Sequence, residues 1–160
     1  MTMRGKCNTR RASLAWRTLA LTLTLLALAW PGHAARADDG AARGLALFTG
    51  AAPLHGRLST HSGELPAPVM RCANCHAAGA GAAVPNSTAP RLTRTWLADL
   101  QSRRGGPPSR YGRDAFCALL RTGLDPAYVM INVDMPRYRL TERDCSALWR
   151  FLNEGPHGRT

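Results

Sequence analysis

The five residues Cys72-Ala73-Asn74-Cys75-His76 decide how the rest of the chain is read. Two thiols stand three positions apart, with an imidazole directly after the second. Thiols at that spacing can each form a thioether to one vinyl group of a single haem. The adjacent His then lies under the iron and supplies its proximal ligand. With 5 Cys and 5 His among 160 residues, chance supplies the pattern about 0.005 times, so the signal is specific. Two other chemistries use a Cys pair. A thioredoxin-type C-x-x-C belongs in a βαβ pattern, whereas these flanks read as loop and helix. A zinc site needs two further ligands, and Cys117 and Cys145 do not form a second close pair.

The N-terminal flank points to export. Residues 1–37 hold Arg4, Lys6, Arg10, Arg11, Arg17 and Arg36 and no acid. The basic start leads into the apolar run Leu19 to Trp30, which Pro31 and Gly32 break. Ala35-Arg36-Ala37 then offers a small-x-small cleavage site, so residues 1–37 read as a secretory signal peptide. The run of 12 residues is short of the roughly 20 that a spanning helix needs. The expectation is a periplasmic protein with no integral membrane span after cleavage. That agrees with haem attachment, which takes place outside the cytoplasm in bacteria.

Export also changes the charge. The whole chain carries 21 basic and 10 acidic residues, a formal +11. Residues 38–160 keep 15 of the basic residues, all Arg, and all 10 acids, which leaves +5. Most of the case for nucleic acid disappears with the signal segment, and none is expected as a partner. The remaining length suits one domain, 38–160, and excludes a large multidomain enzyme. No catalytic triad, phosphate loop or repeated carboxylate pair is present.

Working outward from the motif, Asp38 and Asp39 suit the N-cap of a helix through Phe48, with Gly44 and Phe48 on one face and Gly50 as its stop. Residues 51–70 and 77–90 read as loops. Thr93 or Thr95 can cap a helix to about Arg103. Asp114 to Thr122 forms another, with Phe116, Leu119 and Leu120 apolar and Gly123 closing it. Asp125 to Arg139 reads as irregular. Thr141 caps the last helix, with Asp144 at its third position, and Cys145, Leu148, Trp149 and Leu152 make one buried stripe.

A haem iron has a second axial position. The side chains able to fill it are Met70, Met130, Met135, His55, His61 and His157. Met70 is too near Cys72 to cross the haem plane. Met130 sits in the apolar patch Tyr128 to Val133 and reads as core, and the three His residues read as solvated loop positions. Met135 fits best, because Pro136 extends and stiffens its approach.

With these residues in place, the chain resembles a class I monohaem cytochrome c. The likeness rests on Cys72 to His76, on Ala89-Pro90-Arg91-Leu92, and on Met135-Pro136-Arg137-Tyr138 followed by Leu140-Thr141 and the last helix. It implies an all-α fold, cytochrome c-like helices wrapped around one covalent haem c. It implies that the Pro90 carbonyl accepts a hydrogen bond from the His76 imidazole and orients it. His76 and Met135 would be the metal ligands, and Cys72, Cys75, His76, Pro90 and Met135 the cofactor-binding set. The implied function is electron transfer without catalysis, with a dehydrogenase, an oxidase or another cytochrome as redox partner. A haem subunit of a periplasmic dehydrogenase complex remains open, as does a haem sensor or enzyme with a labile distal ligand. The helix with Gly44 and Phe48 would cross the last helix near Trp149.

The chain departs from the family in one place. Residues 49–70 form an insertion before the haem motif. They either make an excursion over the haem edge or signal a misplaced first helix. In the fold resembled, the helices carrying Cys117 and Cys145 are neighbours. In an oxidising compartment these two thiols are expected to form a disulfide around a loop that carries Met135; the alternative is two buried free thiols.

Overall fold

Caps and stops set most of the element boundaries in the computed structural model, which describes residues 34–155. Residues 1–33 of the expected signal segment and the axial candidate His157 lie outside the described residues. Helix α1 spans Ala34–Thr49 and stops where Gly50 takes φ +85°. Asp38 and Asp39 fall within α1 rather than at its start. Ala34 to Ala37 contains no breaker, and Ala and Arg favour helix.

Helix α2 spans Arg94–Ala98, and the Thr93 hydroxyl accepts the Trp96 N–H at its start. The expected run to Arg103 does not form. Instead, the Arg103 guanidinium turns back and donates to the carbonyls of Trp96, Leu97 and Asp99. It supplies the donors that carbonyls at a helix end lack. Arg103 is 2% exposed and lies 5.2 Å from the rings of both Trp96 and Tyr111. Burial lowers its pKa, but a guanidinium starts so high that it remains charged.

Helix α3, Arg113–Thr122, closes on Gly123 at φ +78°, whose N–H donates to Leu119 O. Helix α4, Glu142–Glu154, opens on Thr141. That hydroxyl accepts the Asp144 N–H at 3.0 Å and meets the Asp144 carboxylate at 3.0 Å. Cys145, Leu148 and Leu152 are buried as expected, and the stripe widens to Ala147 and Phe151. A disulfide joins Cys117 of α3 to Cys145 of α4, with Cα atoms 5.8 Å apart.

Helix α1 crosses α4 at Gly44. A Cβ there would lie 2.1 Å from Ala147 O and 2.6 Å from Phe151 Cβ. The Phe48 and Phe151 rings stand 5.4 Å apart. The crossing thus lies near Trp149, as expected, but its contacts are Ala147 and Phe151, while Trp149 itself packs on Phe116 of α3 at 5.5 Å.

The insertion makes the one departure from an all-helical chain among the described residues. Strand β1, Gly56–Arg57, pairs antiparallel with β2, Arg137–Tyr138. The described residues are thus mainly helical, with four α-helices and a minimal sheet. The approach is close: a Cβ on Gly56 would meet Arg137 O at 2.3 Å. Ala52, Leu54 and Met70 of the insertion enter the core. Leu47, Met70, Leu97, Cys145 and Leu148 are the largest fully buried side chains; each Leu contributes about 1.5–3 kcal/mol by leaving water. Among the described residues, no helix is long and apolar enough to cross a membrane.

Candidate functional site

The motif residues form a single 3-10 turn, Cys72–Asn74. It follows directly on a second one, Ala67–Met70, that ends the insertion. The His76 N–H donates to Cys72 O at 2.9 Å, which closes the backbone turn that carries the imidazole. Asn74 and Ser87 fasten the turn from outside, donating to Pro68 O at 2.9 Å and Cys75 O at 2.6 Å.

His76 Nδ1 stands 2.8 Å from Pro90 O. A carbonyl only accepts, so Nδ1 carries the proton and Nε2 keeps its lone pair. Burial lowers the His76 pKa from its ordinary value, opposed by the bond to Pro90. The ring is therefore neutral near pH 7, the form that ligates metal.

Cys72, Cys75, His76, Pro90 and Met135 all line one cavity of about 850 Å³. Its walls come from every part of the fold. Phe48 comes from α1, Leu58, Leu65 and Val69 from the insertion, Trp96 from α2, Leu120 from α3 and Leu148 from α4. Such a volume with mostly apolar walls lies within the range of cofactor sites.

Met135 is half-buried in that wall. Its N–H donates to Asn132 O at 3.2 Å, and Pro136 follows it. Met70 is fully buried in the core. Met130, expected as core, is instead 63% exposed. The loop carrying it folds around the buried Asp125 carboxylate, which accepts from the N–H groups of Ala127 and Val129. That turn directs the Met130 side chain outward. His55 and His61 are exposed, and His55 pairs with Glu64.

Comparison of the chain with protein-family models, with curated proteins and with solved structures finds no match. The site is therefore read from its own chemistry.

Cys72 and Cys75 are free thiols. Burial pushes the Cys72 thiol up to about 12, against a lowering from the neighbouring Tyr138 hydroxyl. A thiol–disulfide oxidoreductase needs the reverse, a thiolate stabilised near neutral pH. Among the described residues no three His, Cys, Asp or Glu side chains gather as a metal-binding group. Cys117 and Cys145, the other sulfurs a tetrahedral zinc site could use, are bonded to each other. A haem c suits this donor set: two thiols, a neutral imidazole with a free Nε2, and a thioether face one apolar space.

Several wall residues had no role assigned to them from the sequence. Tyr138 is buried, and its hydroxyl donates to Met70 O at 3.1 Å. Arg104 and Tyr111 add polar groups to the wall, and Arg104 is held by Asp125 at 2.6 Å. A pairing of Arg104 with an acid beyond the Gly105-Gly106-Pro107-Pro108 break would have been the only hint.

Proposed function

We propose that the chain is an exported class I monohaem cytochrome c, a periplasmic carrier of single electrons between protein redox partners. The observation that carries this reading is the shared wall: Cys72, Cys75, His76 and Met135 line one apolar cavity. Cys72 and Cys75 would hold haem c through thioethers, and His76 Nε2 and the Met135 sulfur would be its axial ligands. Bound haem supplies an iron that gains one electron from a donor and passes it to an acceptor.

The chain's own residues would do the rest. Pro90 fixes the His76 tautomer and raises its basicity as a ligand. As a ligand, the Met135 thioether would favour the reduced state and raise the potential. With His76 and Met135 both holding the iron, a substrate would have to displace one of them, which would favour outer-sphere transfer. The apolar walls limit water, so little solvent reorganises when the charge changes.

The test is maturation in a periplasm equipped for haem attachment. The expected product carries one haem that acidified organic solvent does not extract. Its oxidised form shows the far-red charge-transfer band of sulfur-ligated iron. Met135→Ala loses the band and lowers the potential, and the exposed Met130→Ala changes neither. Extractable haem would sink the attachment. A high-spin spectrum in the unaltered protein would favour the sensor or enzyme reading.

A further inference from the structure

Arg137 follows Met135 by two positions, yet it is not part of the cavity wall. It lines a separate groove with Arg121 and Thr122 from the end of α3 and Arg139 beyond β2. Its guanidinium covers Gly123. A Cβ on Gly123 would stand 2.1 Å from Arg137 Nε and 2.3 Å from Cζ. Gly123 also takes φ +78°, a backbone conformation that favours glycine, and the lack of a side chain leaves room for the guanidinium above it. From this seat Arg137 Nη1 donates to the Met135 carbonyl at 2.5 Å.

The charge suits both neighbours. The last turn of α3 presents the negative end of the helix dipole, and the Met135 carbonyl is a second negative pole. The other side of the loop is fastened at the same glycine, because the Ile131 N–H donates to Gly123 O at 2.9 Å. Both arms of the Met135 loop therefore end on one αL residue. That residue caps a helix disulfide-bonded to α4.

We propose that Arg137 is a positioning residue. It ties the Met135 backbone to the C-terminal turn of α3 and thereby sets how readily the Met135 sulfur leaves the iron. The proposal rests on the haem reading above. A role in fold stability alone would move the melting temperature without changing competition at the iron.

The experiment is a titration of the oxidised holoprotein with imidazole, which displaces an axial thioether, followed by loss of the far-red band. Arg137→Ala is expected to raise the imidazole association constant about tenfold, the loss of one hydrogen bond from a charged donor. Arg137→Lys keeps a cationic donor and is expected to fall between the two. Arg139→Ala removes a charge from the same groove without touching Met135 and is expected to leave the constant unchanged. Should Arg137→Ala yield too little holoprotein, Arg137→Leu keeps an apolar stem over Gly123 and serves the same readout. An unchanged constant in the Arg137 variants, or an equal rise in Arg139→Ala, overturns the role of Arg137. If the unaltered holoprotein lacks the band, Met135 ligation falls and this proposal falls with it. If the unaltered holoprotein shows the band but Arg137→Ala binds imidazole no more tightly, the positioning role alone falls.

Discussion

Asp144, in the first turn of α4, closes on the Thr141 cap and also ties the helix to α1. Its backbone N–H is held by Thr141, and its carboxylate accepts from Arg43 Nε at 2.8 Å. The Arg43 hydrogen bond first, and the Thr141 hydroxyl after it, hold the carboxyl below its ordinary value of 3.8. A depressed folded-state pKa contributes stability that is complete above the unfolded value. That contribution is lost as pH falls through the folded value. Arg43 is 44% exposed, so solvent screens much of the pair. Asp144→Ala is expected to cost about 1 kcal/mol near neutral pH, as cap and screened ion pair together. Urea midpoints should show the variant and the unaltered protein converging as pH drops below about 4; a gap that stays constant would refute the assignment. Thr141 and Asp144 are three apart, so this cap was legible in the sequence. Cys72, Cys75 and His76 were legible for the same reason, since their chemistry is contiguous. Met135 could be singled out because Pro136 marks it. The contacts of Arg104 with Asp125 and of Tyr138 with Met70 join residues 21 and 68 positions apart. Nothing local in the sequence encodes them.

Helix crossings depend on what a residue lacks as much as on what it carries. Gly44 lets α1 approach the α4 backbone, and a methyl group there would have to displace Ala147 O at 2.1 Å. Backbone cannot yield as a flexible side chain does. Gly44→Ala is therefore expected to destabilise the fold by about 1–3 kcal/mol through overpacking, although alanine favours helix intrinsically. Thermal unfolding measures it, and an unchanged or higher midpoint would show that α1 shifts freely on α4. The pair Gly44 and Phe48 could be read from spacing, but the partner could not. Leu148, Phe151 and Leu152 all lie on the buried side of α4, and only packing selects Phe151 for Phe48. Helices α3 and α4 carry their stops and caps in sequence. Helix α2 carries its cap, Thr93, but not its stop, because a side chain beyond it, Arg103, turns back onto its end. Strands β1 and β2 are two residues each, too short for an alternating pattern. Their pairing is local to the packing of Gly56 and Tyr138 on Met70.

At the scale of the whole molecule, the cavity of about 850 Å³ is enclosed by segments that the short sheet and the disulfide hold together. The Cys117–Cys145 bond spans 28 positions and encloses the irregular segment with Asp125, Met135 and β2. That segment has few helical hydrogen bonds of its own, so its order depends on its two ends. Closing a loop of that size in the unfolded chain removes entropy worth about 3 kcal/mol. The double variant Cys117→Ala with Cys145→Ala is expected to lose about that much. The loss includes little cavity cost, since each change removes only a sulfur from a packed site. Urea unfolding should show a lower midpoint and a steeper dependence on denaturant, because the unbridged unfolded chain exposes more surface. Reductant should shift the unaltered protein and leave the double variant in place, which separates the covalent link from packing at the two sites. In the denatured, unreduced protein, thiol titration should find neither Cys117 nor Cys145 free. Two reactive thiols there, or equal midpoints with and without reductant, would place the constraint on the Met135 loop elsewhere, with Gly123 and strand β1 as the remaining anchors.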